Sequence, residues 1–192
     1  MRRPIDPRRF VVAGLLLSFC IGGCGRPDVD YPNFIRDKMV AVTIAYGVME
    51  TITPELSGVQ PGDIEGRADC PHGGSLTLQG TFSAGAALDE FDLALTASSC
   101  KLSGDFGFFA ATTTISGQLT LDSSWNRFDG RGSDVLRSDE LRIRADTDYQ
   151  GHTKPFDRSC AFDYHMLGSA TSDALFGTLC SKPYAASLNH RG

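Results

Sequence analysis

From Leu76 onward apolar residues return at every second position, whereas between Asn33 and Thr51 they return at every third or fourth. The first period belongs to strands with one buried face and the second to a helix, so the chain specifies one helix followed by a succession of strands. Leu76, Leu78 and Phe82 alternate with Ser75, Thr77 and Thr81, and Phe91, Leu93, Leu95 and Ala97 alternate with Asp92, Ala94 and Thr96. Segments 106–111 and 113–121, the series Leu141, Ile143, Ala145, Thr147, the series Phe162, Tyr164, Met166, and segment 175–180 follow, for about seven strands. In the helix, predicted over about 33–51, the apolar stripe is Ile35, Met39, Val42, Tyr46 and Met49, with Asn33 as its cap and Thr53-Pro54 as its end. Segment 58–74 reads as loop.

Short strands joined by tight turns in chain order give an antiparallel meander, and the helix stripe has to cover an apolar surface. The expected fold is therefore mainly β (α+β): a curved or half-barrel-like meander packed on one N-terminal helix. With 192 residues and 41% hydrophobic content, a single domain can bury such a core. A pI near 5.3 leaves no dense basic face to replace phosphate counterions, which excludes nucleic acid as the partner.

The first residues have another purpose. Arg2, Arg3, Arg8 and Arg9 precede an apolar run from Phe10 to Gly23. Its 14 residues fall short of the roughly 20 that span a bilayer, so 1–23 is expected to be a signal peptide. It ends in Ile21-Gly22-Gly23-Cys24, which resembles the lipobox of bacterial lipoproteins: an aliphatic residue, two small residues and the cysteine that takes the lipid. The resemblance implies that Cys24 is lipidated and becomes the mature N-terminus. Gly25 after it, in place of Asp, implies sorting to the outer membrane. Gly22 departs from the Ala, Ser or Thr more usual at that position. Cleavage before Cys24 removes four of the 18 basic and one of the 23 acidic residues, leaving 14 against 22 and a formal charge of −8. Membrane attachment then falls to the acyl anchor. Residues 24–32 read as a short tether to a domain over 33–192.

Four cysteines remain downstream, and an even number in an exported chain implies two disulfides with three possible pairings. Across an antiparallel hairpin, opposed residues have a constant index sum. A turn near Gly168-Ser169-Ala170-Thr171 sets Cys160 opposite Cys180, which leaves Cys70 with Cys100. The second pairing conflicts with the odd sum that Leu76, Leu78, Leu93 and Leu95 demand, so it must lie outside the ladder or follow a bulge.

Chemistry is harder to find. His72, His152, His165 and His190 show no spacing that pairs two metal ligands, and no Cys-x-x-Cys is present, so no metal, cofactor or catalytic set is expected. Asp163 and His165 share a strand face and read as a solvated pair. His72-Gly73-Gly74-Ser75 is similar to an esterase oxyanion loop but lacks a Gly-x-Ser-x-Gly elbow. Gly130-Arg131-Gly132-Ser133-Asp134 matches the core of a calcium-binding repeat in a single copy, where a hairpin turn is the simpler reading. Phe106, Phe108, Phe109, Trp125 and Phe128 are the candidate ligand-lining residues, with core filling as their simpler role. The expectation is an outer-membrane lipoprotein with a structural or interaction role. Its alternative is a carrier of lipid or another apolar ligand, and a hydrolase stands last.

Overall fold

A computed structural model describes residues 31–105, 109–149, 152–169 and 172–189. Helix α1 (Tyr31–Leu56) precedes strands β1 (Gly62–Asp69), β2 (Ser75–Ala84), β3 (Leu88–Asp105), β4 (Phe109–Asn126), β5 (Gly132–Tyr149), β6 (His152–Gly168), β7 (Ser172–Leu179) and β8 (Lys182–Asn189). All eight pair antiparallel in chain order as one open meander, with α1 packed against it.

Two strands, β1 and β8, fall outside the expected set, while the segments 106–111 and 113–121, expected as separate strands, share the single strand β4 where they are described; β1 lies in 58–74, which reads as loop. Only Ile64 and Ala68 point inward from it, with Gly66 between, so its apolar alternation has a gap. The ladder supplies what the pattern lacks: every residue from Gly62 to Asp69 has a partner on β2, from Phe82 to Ser75. Exposed Asp63, Glu65, Arg67 and Asp69 then discourage further pairing at this edge.

Two bulges shape the sheet. Ala97 faces Gly117 but Cys100 faces Ile115, so β3 carries one extra residue around Ser99, whose φ is +50°. Ser138 faces Phe162 but Leu141 faces Cys160, so β5 carries another around Asp139 and Glu140. The two bulges flank β4 at Gly117, near which both registers shift. A bulge bends its strand and increases the local twist, which lets strands of 17 or 18 residues curl instead of lying flat.

What they curl around is α1. The helix contacts β1 and β3 through β8, and Val40, Ala41, Ile44, Ala45, Val48 and Ile52 have no exposed surface. A helix buried nearly all round needs no polar face, so its stripe is a poor guide to its contacts. Of the predicted stripe, Met39 and Val42 are buried while Ile35, Tyr46 and Met49 are only half-buried; the deepest positions lie on the other side. Small Ala41 and Ala45 let the sheet approach there. Asn33 lies within the helix and does not cap it, and the helix continues through Pro54, whose exposed ring sits in the last turn. The N-terminal end is fixed by buried Asp37, which accepts hydrogen bonds from Arg36 at 2.8 and 3.0 Å and from Lys182 of β8 at 2.9 Å.

Both predicted disulfides are present, Cys70–Cys100 and Cys160–Cys180, with Cα separations of 5.4 and 5.0 Å. Cys70 follows β1 and Cys100 follows the β3 bulge, which reconciles this bridge with the odd ladder sum of β2 and β3. Cys180 lies one residue past the last β6–β7 pair, Phe162 with Leu179, and opens the turn into β8.

Candidate functional site

The expected site residues do not converge. Cys24, Phe106 and Phe108 lie outside the described residues, and Phe109 begins β4 opposite Tyr149. Trp125 turns inward and packs on the core, but Phe128 stands in the β4–β5 turn with 80% of its surface exposed, so it neither fills the core nor lines a pocket. The histidines are scattered. His72 Nε2 lies 2.7 Å from Ser103 Oγ at an exposed site beside the Cys70–Cys100 bridge. His165 lies 3.1 Å from Asp163 on the outer face and stacks on Phe176. His152 begins β6. Among the described residues no three His, Cys, Asp or Glu side chains form a metal-holding group.

The polar chemistry that is buried lies elsewhere, at the end of the half-barrel formed by the start of β5 and the end of β6. Three rows cross the inner face there. The first is Leu121, Leu136, Tyr164, Gly177 and Tyr184; the second is Ser123, Asp134, Met166, Leu175 and Ala186; the third begins with Trp125, Gly132, Gly168 and Asp173. A side chain at Gly132 or Gly168 would collide with the Trp125 ring. The two glycines thus form a trough in which the indole crosses from β4 over β5 to β6, with Asp173 Oδ1 beside its far end.

Asp134 sits at the centre of these rows and has no exposed surface. Its Oδ1 accepts hydrogen bonds from Ser123 Oγ at 2.5 Å and from Trp125 Nε1 at 2.9 Å. Its Oδ2 has no hydrogen-bond partner, and neither do the hydroxyls of Tyr46 and Tyr164. Burial pushes the Asp134 carboxyl above its ordinary value; the two hydrogen bonds on Oδ1 act in the opposite direction, and neighbouring Asp173 adds to the rise. Burial likewise pushes the hydroxyls of Tyr46, Tyr164 and Tyr184 upward, and Asp173 adds to this for Tyr46 and Tyr164. Tyr184 differs in having a partner, since its hydroxyl donates to the Asp163 carbonyl at 3.0 Å.

The chain matches no family model, no curated protein and no solved structure. The geometry therefore has to be read on its own terms. Two buried carboxyls, Asp134 and Asp173, and neighbouring tyrosine hydroxyls make an internal cluster of proton-holding groups. Sequence reasoning missed it because 130–134 read as a turn, although Asp134 stands two residues before Leu136 in the inward alternation.

Proposed function

We infer that this chain is an outer-membrane lipoprotein, held by acyl chains on Cys24, whose folded part has a structural or interaction role at the cell envelope. The observation that carries this reading is the order at the N-terminus: basic residues, an apolar run of 14, then Gly22-Gly23-Cys24. Two disulfides in so small a domain support it, since such bridges persist in oxidising compartments outside the cytosol. Among the described residues no helix is long and apolar enough to cross a membrane. An interaction role is further supported by the outer face of β6 and β7, where Leu167 and Phe176 are 53% and 42% exposed beside His165.

The carrier reading asks for an apolar cavity between helix and sheet. Val40, Ile44, Val48, Leu76, Leu93, Leu102, Ile115 and Ile143 all have zero exposed surface, and the space that opens between the end of α1 and β1, about 170 Å³ bordered by Leu56, Val59, Ile64 and Leu78 together with Glu55, Asp63 and Glu65, is smaller and more charged than a pocket for an apolar ligand. The described core is packed with its own side chains, and the interaction role is preferred.

The test is Cys24→Ser in the full chain. The unaltered protein should take up radiolabelled palmitate and partition with detergent, whereas the variant should take up none and leave the membrane fraction. Label retained by the variant, or membrane attachment unchanged without it, contradicts the reading.

A further inference from the structure

We propose that Asp134 is carried as the neutral acid in the folded protein, making the Trp125 end of the half-barrel a clasp that is closed while this proton is held and loosened when it is lost. Oδ1 already accepts from Ser123 and Trp125, so it has no need of a proton of its own. Oδ2 meets no N–H or O–H donor, and its accessible surface is under 1 Å², which leaves no space for water or a metal ion against it. A carboxylate placed there would leave negative charge on an oxygen with nothing to stabilise it, an arrangement folded proteins avoid by protonation.

The surroundings leave no other source of compensation. Around the group are Ser123 and Trp125 from β4, Met166 and Tyr164 from β6, and Asp173 from β7, with Tyr46 of α1 and Tyr184 of β8 next to Tyr164. Among the described residues no Lys, Arg or His forms an ion pair with Asp134. Asp173 disfavours a second negative charge.

The consequence reaches Trp125 because its N–H is bound to this carboxyl. The indole lies over Gly132 and Gly168, so its position depends on that bond and on the dryness of the trough. Ionisation of Asp134 draws water toward Oδ2 and opens this end, while the leucine-lined middle stays packed.

The sign follows from linkage. A carboxyl raised in the folded state gives stability that is fully present below its unfolded value of 3.8 and is lost as pH rises through the raised value. Across that window the term lowers Tm by about 3–5 °C per pH unit.

Trp125 is the chain's one tryptophan, so its fluorescence reports this site alone. In the full chain, emission should hold steady in acid and then shift to the red in a single step whose midpoint lies above 3.8. Asp134→Asn reproduces the neutral acid's shape and keeps an acceptor for Ser123 and Trp125, so it should fold normally and show no step. Asp173→Asn should keep the step and move it to lower pH. The proposal is overturned by a wild-type curve without a step above 3.8, by a step that survives in Asp134→Asn, or by an Asp134→Asn protein that is unfolded at neutral pH.

Discussion

On one face of β4, two residues apart, stand Leu121 and Ser123, and they belong to different kinds of interior. Leu121 has no exposed surface and faces Leu93 and Leu136, in a region where α1 and the sheet meet through aliphatic side chains. Ser123 faces Phe91 and Asp134, and with half-buried Trp125 it begins a region where Asp134 is as fully buried as Leu121 but the groups are polar. In the first region shape alone decides the energy. In the second, energy depends on where one proton sits, because burial multiplies the cost of a charge and leaves an apolar contact unchanged.

Substitutions can break this contrast or sharpen it. The largest effect is expected in the aliphatic region: Leu121→Ala should cost about 2–5 kcal/mol, since a closely packed site collapses poorly around the cavity. Chemical denaturation should give the same loss in acid and at neutral pH, and a pH-dependent loss would break the contrast. Trp125→Phe keeps a ring over the two glycines but removes one donor to Asp134, and should cost about 1–3 kcal/mol. Its loss should be smaller in acid, where the neutral carboxyl needs the donor least. The smallest effect is Ser123→Ala, about 0.5–1.5 kcal/mol if its bond is to a neutral acid. A loss at the level typical of a bond to a charged group, about 1.5–3 kcal/mol, argues that Asp134 is ionised.

The same contrast explains what could be read in the chain beforehand. Alternation identified β2, β3 and the 113–121 part of β4 because Leu76 and Leu78, Leu93 and Leu95, and Leu119 and Leu121 each keep one parity within their own strand and point to one aliphatic region. Parity failed where it changed. In β5 the inward positions are Asp134, Leu136 and Ser138 before the bulge and Leu141, Ile143, Ala145 and Thr147 after it. Only the second set looks like a strand, so 130–134 reads as a turn and the strand is expected only from Leu141. The disulfides were legible because strand register constrains which cysteines can meet, and the parity conflict of Cys70 with Cys100 left two ways out, a bridge outside the ladder or a bulge, of which the structure shows both. The helix was legible as a helix but not in its orientation, since a helix enclosed by a curled sheet buries small residues as deeply as large ones. The Asp134 cluster was not legible because its members come from α1, β4, β5, β6 and β7, and no local spacing joins Tyr46 to Asp173.

The measurement that tests the split interior most directly is the carbon NMR shift of the Asp134 side-chain carboxyl in the folded protein, followed with pH. Asp134 should keep the shift of a protonated acid above the ordinary aspartate value of about 3.9 and move only at higher pH, together with the emission of Trp125. If its carboxyl titrates at or below that ordinary value while the protein stays folded, a charged oxygen is tolerated in that dry pocket, and the distinction between the two interiors is lost.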